Sequence, residues 1–186
     1  YVGVGGQSMH TVKNCISRTL NEGDKISQEL IDELYKENLA SICDETTILE
    51  VVPQEYIADN HTEVNPVGIV AQNITAQYMN IVARSILKSN LERSLEQVGI
   101  TMADLILSPL AQTKSILTDS EMRSGCAIVD FGADTTTLSI YKNNLLRFLC
   151  VLPLGMNNVV KDICTMQMEE EDANWLLTQY GSAICI

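Results

Sequence analysis

The alternation of hydrophobic and polar positions divides the chain into short elements. Residues 1–6 (YVGVGG) read as a brief strand closing on glycines, and 9–20 (MHTVKNCISRTL) set Val12 and Ile16 at strand spacing. NEGDK (21–25) is a turn. The period then becomes helical over 27–42, where Leu30, Leu34 and Ile42 form an apolar stripe. Ser27 is the N-cap of that helix and Glu29 an acid in its first turn. Residues 46–59 (TTILEVVPQEYIAD) are β-branched and strand-like, and Pro53 confines them to an edge or a bulge. After a turn at 65–68 (NPVG), the alternation of Ile69, Ala71, Ile74, Ala76 and Tyr78 predicts a long strand. Residues 86–99 form an amphipathic helix with Leu87, Leu91, Leu95 and Val98 on one side, closed by Gly99.

The second half opens with a short strand and a helix started by Pro109, followed by a polar linker or short helix at 118–125. CAIVDFG (126–132) is a continuous apolar strand, read as buried through Ala127, Ile128 and Val129 and ending at Asp130. TTTLSIYKNN and LLRFLCVLPLG complete an antiparallel meander turned at Asn143-Asn144, whose residues tolerate positive φ. A helix at 158–168 is capped by Asn157, and the acidic run 169–172 leads into a last helix. Elements therefore cluster at 1–98 and 103–186, which predicts two subdomains with a boundary near 99–125.

Composition sharpens this picture. At 46% hydrophobic and 19% charged the chain can pack a core, which the 5% aromatic share makes aliphatic. A net charge of −12 with no basic patch argues against nucleic acid and anionic membrane surfaces. No apolar run reaches the length of a membrane span and no signal peptide is visible. Cysteines at 15, 43, 126, 150, 164 and 185 form no CxxC pair and sit in apolar stretches, so they read as reduced and buried. With only His10 and His61 available, a Cys/His metal site or a histidine-assisted nucleophile is disfavoured. The opening inside a strand and the unfinished apolar ending suggest a piece of something larger.

Candidate chemistry concentrates at 126–158. An aspartate ending an apolar strand can face Mg²⁺ through its water shell, since magnesium takes oxygen ligands and keeps several waters. Small residues at Gly132 and Ala133 let backbone N–H groups approach phosphate oxygens, and Thr135 and Thr136 add hydroxyls. A plain β-hairpin with a tight turn explains VDFGADTTTLSIY equally well from this stretch alone.

The flanks add a resemblance. CAIVDFGADTTTLSIYKNNLLRFLCVLPLGMNNVVKDI resembles the second phosphate-binding hairpin of the actin-like ATPases, and within them the bacterial cell-division family FtsA. Arg147, Pro153, Gly155 and Lys161-Asp162-Ile163 occupy that family's expected places. ILEVVPQEYIAD followed by NPVGIVAQNITAQYMNIVA is similar to the family's inserted subdomain 1C, of the SHS2 class. VGVGGQSMH resembles its opening strand, DLILSPLAQTKSILTDSEMRSG its exit and EEDANWLLTQYGSA the following helix, so the likeness spans the chain.

The resemblance implies an α/β fold with an α+β insert. It comprises an SHS2-like interaction subdomain over 1–98, a return segment of the first ATPase lobe over 99–124, and over 125–186 the start of a second, ribonuclease H-like lobe. It implies ATP and Mg²⁺ in the full-length protein. Asp130 would orient Mg²⁺-bound water, Gly132, Ala133, Asp134 and Thr135 would wrap the β- and γ-phosphates, and Gly155 would lie near the cleft. It implies an assembly protein at the cytoplasmic face of the inner membrane at the septum, polymerising beside the FtsZ ring. FtsZ and the membrane would be reached through a subdomain and a C-terminal helix outside this chain. Other FtsA subunits and later division proteins would be met through 1–98.

Several positions depart from the pattern. Gly132-Ala133-Asp134 stands where three glycines are expected, and a carboxylate facing a triphosphate is unfavourable. Thr137 replaces an acidic residue, and Asn174 and Leu177 replace a Glu and a Lys that hold the nucleoside. These point to weak or altered nucleotide binding and, at most, a weak ATPase in the full-length protein and none in this piece. The other readings are a PilM-like pilus-assembly homologue, a scaffold without nucleotide, and a sugar-kinase-type phosphotransferase, for which no general-base aspartate is placed. Elsewhere Trp175 reads as a core or interface anchor and His61 as a loop residue. The acidic run 169–172 reads as a solvated helix start, and the apolar edge strands of 1–98 as a partner surface.

Overall fold

The computed structural model describes residues 1–41 and 45–184. Ile42, Cys43 and Cys185 lie outside the described residues. The first part runs β1 (Val2–Val4), β2 (His10–Thr19), α1 (Gln28–Ala40), β3 (Thr46–Ala58), β4 (His61–Glu63), β5 (Asn73–Arg84), α2 (Ser85–Gln97). It continues with β6 (Leu105–Leu107), α3 (Ser108–Ile116), α4 (Asp119–Ser124), β7 (Cys126–Phe131), β8 (Thr136–Lys142), β9 (Leu145–Leu152), α5 (Met156–Cys164) and α6 (Glu170–Tyr180). The fold is mixed α/β. Seven strands share one sheet in the order β4-β3-β5-β2-β9-β8-β7, while β1 and β6 pair in parallel as a separate ribbon.

Local chemistry sets many boundaries. The Ser27 hydroxyl accepts from the Leu30 N–H at 3.2 Å and caps α1. Pro109 sits in the first turn of α3, where its missing N–H leaves no orphan. Thr118 and Glu121 cap α4 reciprocally. Asn143 and Asn144 both take positive φ (55° and 61°), the geometry of a two-residue hairpin turn between β8 and β9. At Pro53 the β3–β5 register shifts, so the proline occupies a bulge.

Two apolar clusters form the core. Leu34 of α1 covers one sheet face over Ile16, Ile26, Val51, Ile74, Ala76 and Tyr78. The second gathers Val4, Met9, Ile81, Leu107, Tyr141, Leu146, Leu149 and Val151, with Leu87 and Leu91 of α2 packed against it. Buried among the aliphatics are Asn38 and Asn80, whose side-chain amides bond each other in both directions at 2.8 and 2.9 Å. Asn14 donates a further 2.9 Å bond to Asn38. Sequence periodicity missed this network, because an asparagine on a helix reads as a polar position.

The two halves of the sheet meet at a single residue pair, His10 opposite Cys150. Beside it the Thr11 hydroxyl accepts from the Leu149 N–H (3.0 Å) and donates to its carbonyl (3.2 Å). Arg147 reaches from β9 to Gln54 (3.2 Å) and Glu55 (2.9 Å) on β3.

Several expectations are corrected. β7 is not a buried strand. It is the sheet's outer edge, with Ala127, Val129 and Phe131 exposed and Ile128 half-buried, because nothing among the described residues covers its outer face. In the first part the outermost strand β4 is short and polar and contains His61, which is therefore no loop residue; β4 pairs only with Tyr56–Ala58 of β3, so among the described residues the rest of that largely apolar strand has no strand partner on that side. The long strand begins at Asn73 rather than Ile69. Val98 is exposed past the end of α2, where Gly99 takes φ 71°. Cys15 is exposed on the solvent side of β2; Cys126, Cys150 and Cys164 are half-buried, and all four are free. Trp175 is 57% exposed, so it is no core anchor; it meets Tyr180 edge-on at 5.8 Å. No helix among the described residues is long and apolar enough to cross a membrane.

Candidate functional site

The β7–β8 hairpin ends in a tip at 132–135 whose geometry follows from its small residues. The Gly132 N–H donates to the Thr135 carbonyl at 2.8 Å and closes the turn. A Cβ on Gly132 would stand 2.9 Å from that same oxygen. On the other side the tip is bonded to the start of α5. The Met156 N–H donates to the Gly132 carbonyl (3.0 Å) and the Asn157 N–H to the Ala133 carbonyl (2.8 Å). The carbonyls of the tip thus satisfy the first orphan donors of the helix. Among the described residues, the N–H groups of Ala133, Asp134 and Thr135 donate to no protein acceptor. Three consecutive donors without partners at a small-residue turn suit an anion.

Gly155 makes this packing possible. Its φ of −150° is open to any residue, but a Cβ there would lie 2.5 Å from the Ala133 carbonyl carbon and 2.7 Å from the Asp134 nitrogen. The backbone of the tip therefore occupies the space a side chain would need. α5 begins at Met156, so Asn157 is a helical residue and not the expected cap; the Gly155 N–H is satisfied by the Asn158 side chain at 3.0 Å. The Thr136 hydroxyl anchors the same junction by donating to the Leu154 carbonyl at 2.7 Å.

Asp130 stands one residue before the end of β7, half-buried, and Gln112 of α3 donates to its Oδ2 at 2.8 Å. Asp134 is exposed, and its Oδ1 accepts from the Asn157 amide at 2.9 Å. Gly132, Ala133, Asp134 and Thr135 with Gly155 thus form one junction, and Asp130 leads into it. Gln112 and Asn157 were not singled out as site residues; each is joined to its partner across 18 or more residues of chain. Asn174 and Leu177 lie on α6, where the Asn174 amide bonds the Glu170 carbonyl of its own helix at 2.9 Å. Among the described residues, no three His, Cys, Asp or Glu side chains are grouped to share a metal ion.

A family profile described as "SHS2 domain inserted in FTSA" matches residues 6–82, and one described as "Cell division protein FtsA" matches residues 127–185. The cell division protein FtsA of Porphyromonas gingivalis is 31% identical over 186 residues, covering 99% of this chain and 39% of that protein. The chain belongs to the FtsA family. FtsA of Buchnera aphidicola is 37% identical over 123 residues, 66% of this chain and 29% of that protein. FtsA of Escherichia coli K12 is 27% identical, covering 99% of this chain and 44% of that protein. The chain thus spans less than half the length of these FtsA relatives. Among solved structures, a chain of a PilM-PilN type IV pilus biogenesis complex shares the fold, with TM-score 0.60, 17% identity, and coverage of 92% of this chain and 48% of that one. The junction of hairpin tip and α5 falls within the segment matched to FtsA, and the β3–β5 unit within the inserted SHS2 domain.

Proposed function

We propose that this chain is the middle portion of a bacterial cell-division actin-like protein whose residues 126–155 form the second phosphate-binding element of an ATP site. The observation that carries this reading is the hairpin tip, where three consecutive N–H groups without an acceptor among the described residues lie on a junction that tolerates no side chain at 155, within a segment matched to FtsA. The residues fit a magnesium nucleotide. The Ala133, Asp134 and Thr135 N–H groups would hold β- and γ-phosphate oxygens, and the Thr135 hydroxyl adds a donor. Asp130, steadied by Gln112, would accept from a water of the Mg²⁺ shell. When bound, the nucleotide supplies the phosphoryl chemistry and a state-dependent bias on polymerisation. The protein's own part is to bind and orient.

In this reading the full-length protein polymerises beside the FtsZ ring, helps anchor it to the cytoplasmic face of the inner membrane and recruits later division proteins. Residues 1–98 serve contacts with other subunits and with those proteins, 99–124 return the chain to the first lobe, and 125–186 begin the second. Calorimetric titration of the full-length protein with Mg-ATP tests it. Wild type is expected to bind, and Asp130→Ala to bind at least tenfold more weakly. Absence of binding by wild type would leave the scaffold reading in place.

A further inference from the structure

Asp134 puts a carboxylate on the same tip whose N–H groups are proposed to take phosphate, and the structure shows how that charge is managed. Asn157 ties the tip twice. Its backbone N–H donates to the Ala133 carbonyl at 2.8 Å, and its side-chain amide donates to the Asp134 Oδ1 at 2.9 Å. Asn157 is the second residue of α5, so the carboxylate it holds lies against the first turn of a nine-residue helix. The field of a helix N-terminus favours negative charge there. The backbone N–H groups of that turn are already engaged, Met156 and Asn157 by the tip carbonyls and Asn158 by the Gly155 carbonyl. The first turn is thus closed to an incoming anion but still provides a resting place for one of the protein's own.

We propose that Asn157 is a positioning residue for nucleotide binding, which holds the Asp134 carboxylate against α5 and so keeps a like charge out of the phosphate site. The inference rests on the phosphate-site reading above and goes beyond it by naming how a tip with Asp134 in place of a glycine retains its capacity for anions. Without the amide, the exposed side chain samples its other rotamers, including those facing the Ala133–Thr135 donors, and a carboxylate there repels the polyphosphate. An exposed charge interaction of this kind changes affinity by up to about fivefold. It weakens further as salt shortens the screening length.

The test is Mg-ATP titration of the full-length protein carrying Asn157→Ala, Asp134→Asn, both together, or Asp130→Ala, at low and moderate salt, with thermal melts of each variant. The expected result is that Asn157→Ala lowers affinity about three- to fivefold at low salt and less at moderate salt. In the Asp134→Asn background, the same change is expected to have no effect on affinity. An equal loss in both backgrounds, or one independent of salt, means that Asn157 serves only the fold and overturns the proposal. If Asp130→Ala abolishes binding while Asn157→Ala changes nothing, this inference fails and the phosphate-site reading stands. If neither wild type nor Asp134→Asn binds Mg-ATP, both fall.

Discussion

Gly155→Ala isolates the junction between hairpin tip and α5. The added methyl carbon has no room, since it overlaps the Ala133 carbonyl and approaches the Asp134 nitrogen at 2.7 Å. Both obstacles are backbone, so no rotamer change relieves them; the tip must move off the helix. That movement breaks the Met156–Gly132 and Asn157–Ala133 hydrogen bonds (3.0 and 2.8 Å). Each backbone bond contributes about 1 kcal/mol net, and overpacking strain adds about 1–2 kcal/mol. The expected destabilisation is therefore about 3–4 kcal/mol. At roughly 2–4 °C per kcal/mol for a chain of this size, the melting temperature should fall by roughly 6–16 °C. Denaturant unfolding followed by Trp175 fluorescence gives the free energy, and hydrogen exchange should show lost protection at Met156 and Asn157. Gly68→Ala is the control: it has φ 90° and open space around a new Cβ, so only the backbone penalty of about 1 kcal/mol applies. If Gly155→Ala is no worse than Gly68→Ala, and both amides stay protected, the steric reasoning is wrong.

Three further predictions follow from the core. Tyr78 is almost wholly buried and, among the described residues, its hydroxyl makes no well-formed hydrogen bond although the Tyr56 hydroxyl interacts with it, so Tyr78→Phe should stabilise the fold by up to about 1 kcal/mol in urea unfolding; a loss would show that the Tyr56–Tyr78 hydroxyl contact outweighs the cost of burying that oxygen. Asn38→Leu removes one member of a buried amide pair and leaves Asn80 unsatisfied, so it should cost about 2–3 kcal/mol, whereas Asn38→Leu combined with Asn80→Leu should recover part of that; additive losses would refute the pairing. Burial raises the phenol pKa values of Tyr56, Tyr78 and Tyr141. Their neutral forms are favoured in the fold, so this contribution to stability is complete below about pH 10 and is lost as pH rises through the raised values. Absorbance titration at 295 nm should show these three of the six tyrosines ionising late in native protein and normally in denaturant; a single normal step in native protein would contradict their burial.

What the chain reveals before folding is mostly what is decided within a few residues. Ser27 caps its helix three positions on, Asn143-Asn144 turns a hairpin between neighbouring strands, and Pro53 marks its bulge. Each is a contest between local conformations, and residue type settles it. The edge position of β7 was not legible, because a continuous apolar run reads as buried whether or not anything covers it. β4 was too short for any period to show. At the candidate site the local part was legible: an aspartate near a strand's end and a small-residue turn. The partners that position it were not, since Gln112 reaches Asp130 from another helix and Asn157 reaches Asp134 across a whole hairpin. Asn157 was read as a cap because asparagines often are; the tight approach at Gly155 instead starts the helix earlier.

The parallel ribbon of β1 and β6 has a consequence for synthesis. Val2 pairs with Leu105 and Val4 with Leu107, so the strand near the start of the sequence has its partner roughly a hundred residues later. At about 5–20 residues per second, β1 leaves the ribosome some 5–20 s before the strand that completes it. The β2–β5 unit needs only residues up to Arg84 and can assemble in the interval. β1 therefore spends that interval without its β6 partner, and the ribbon closes only after the β2–β5 unit can be complete.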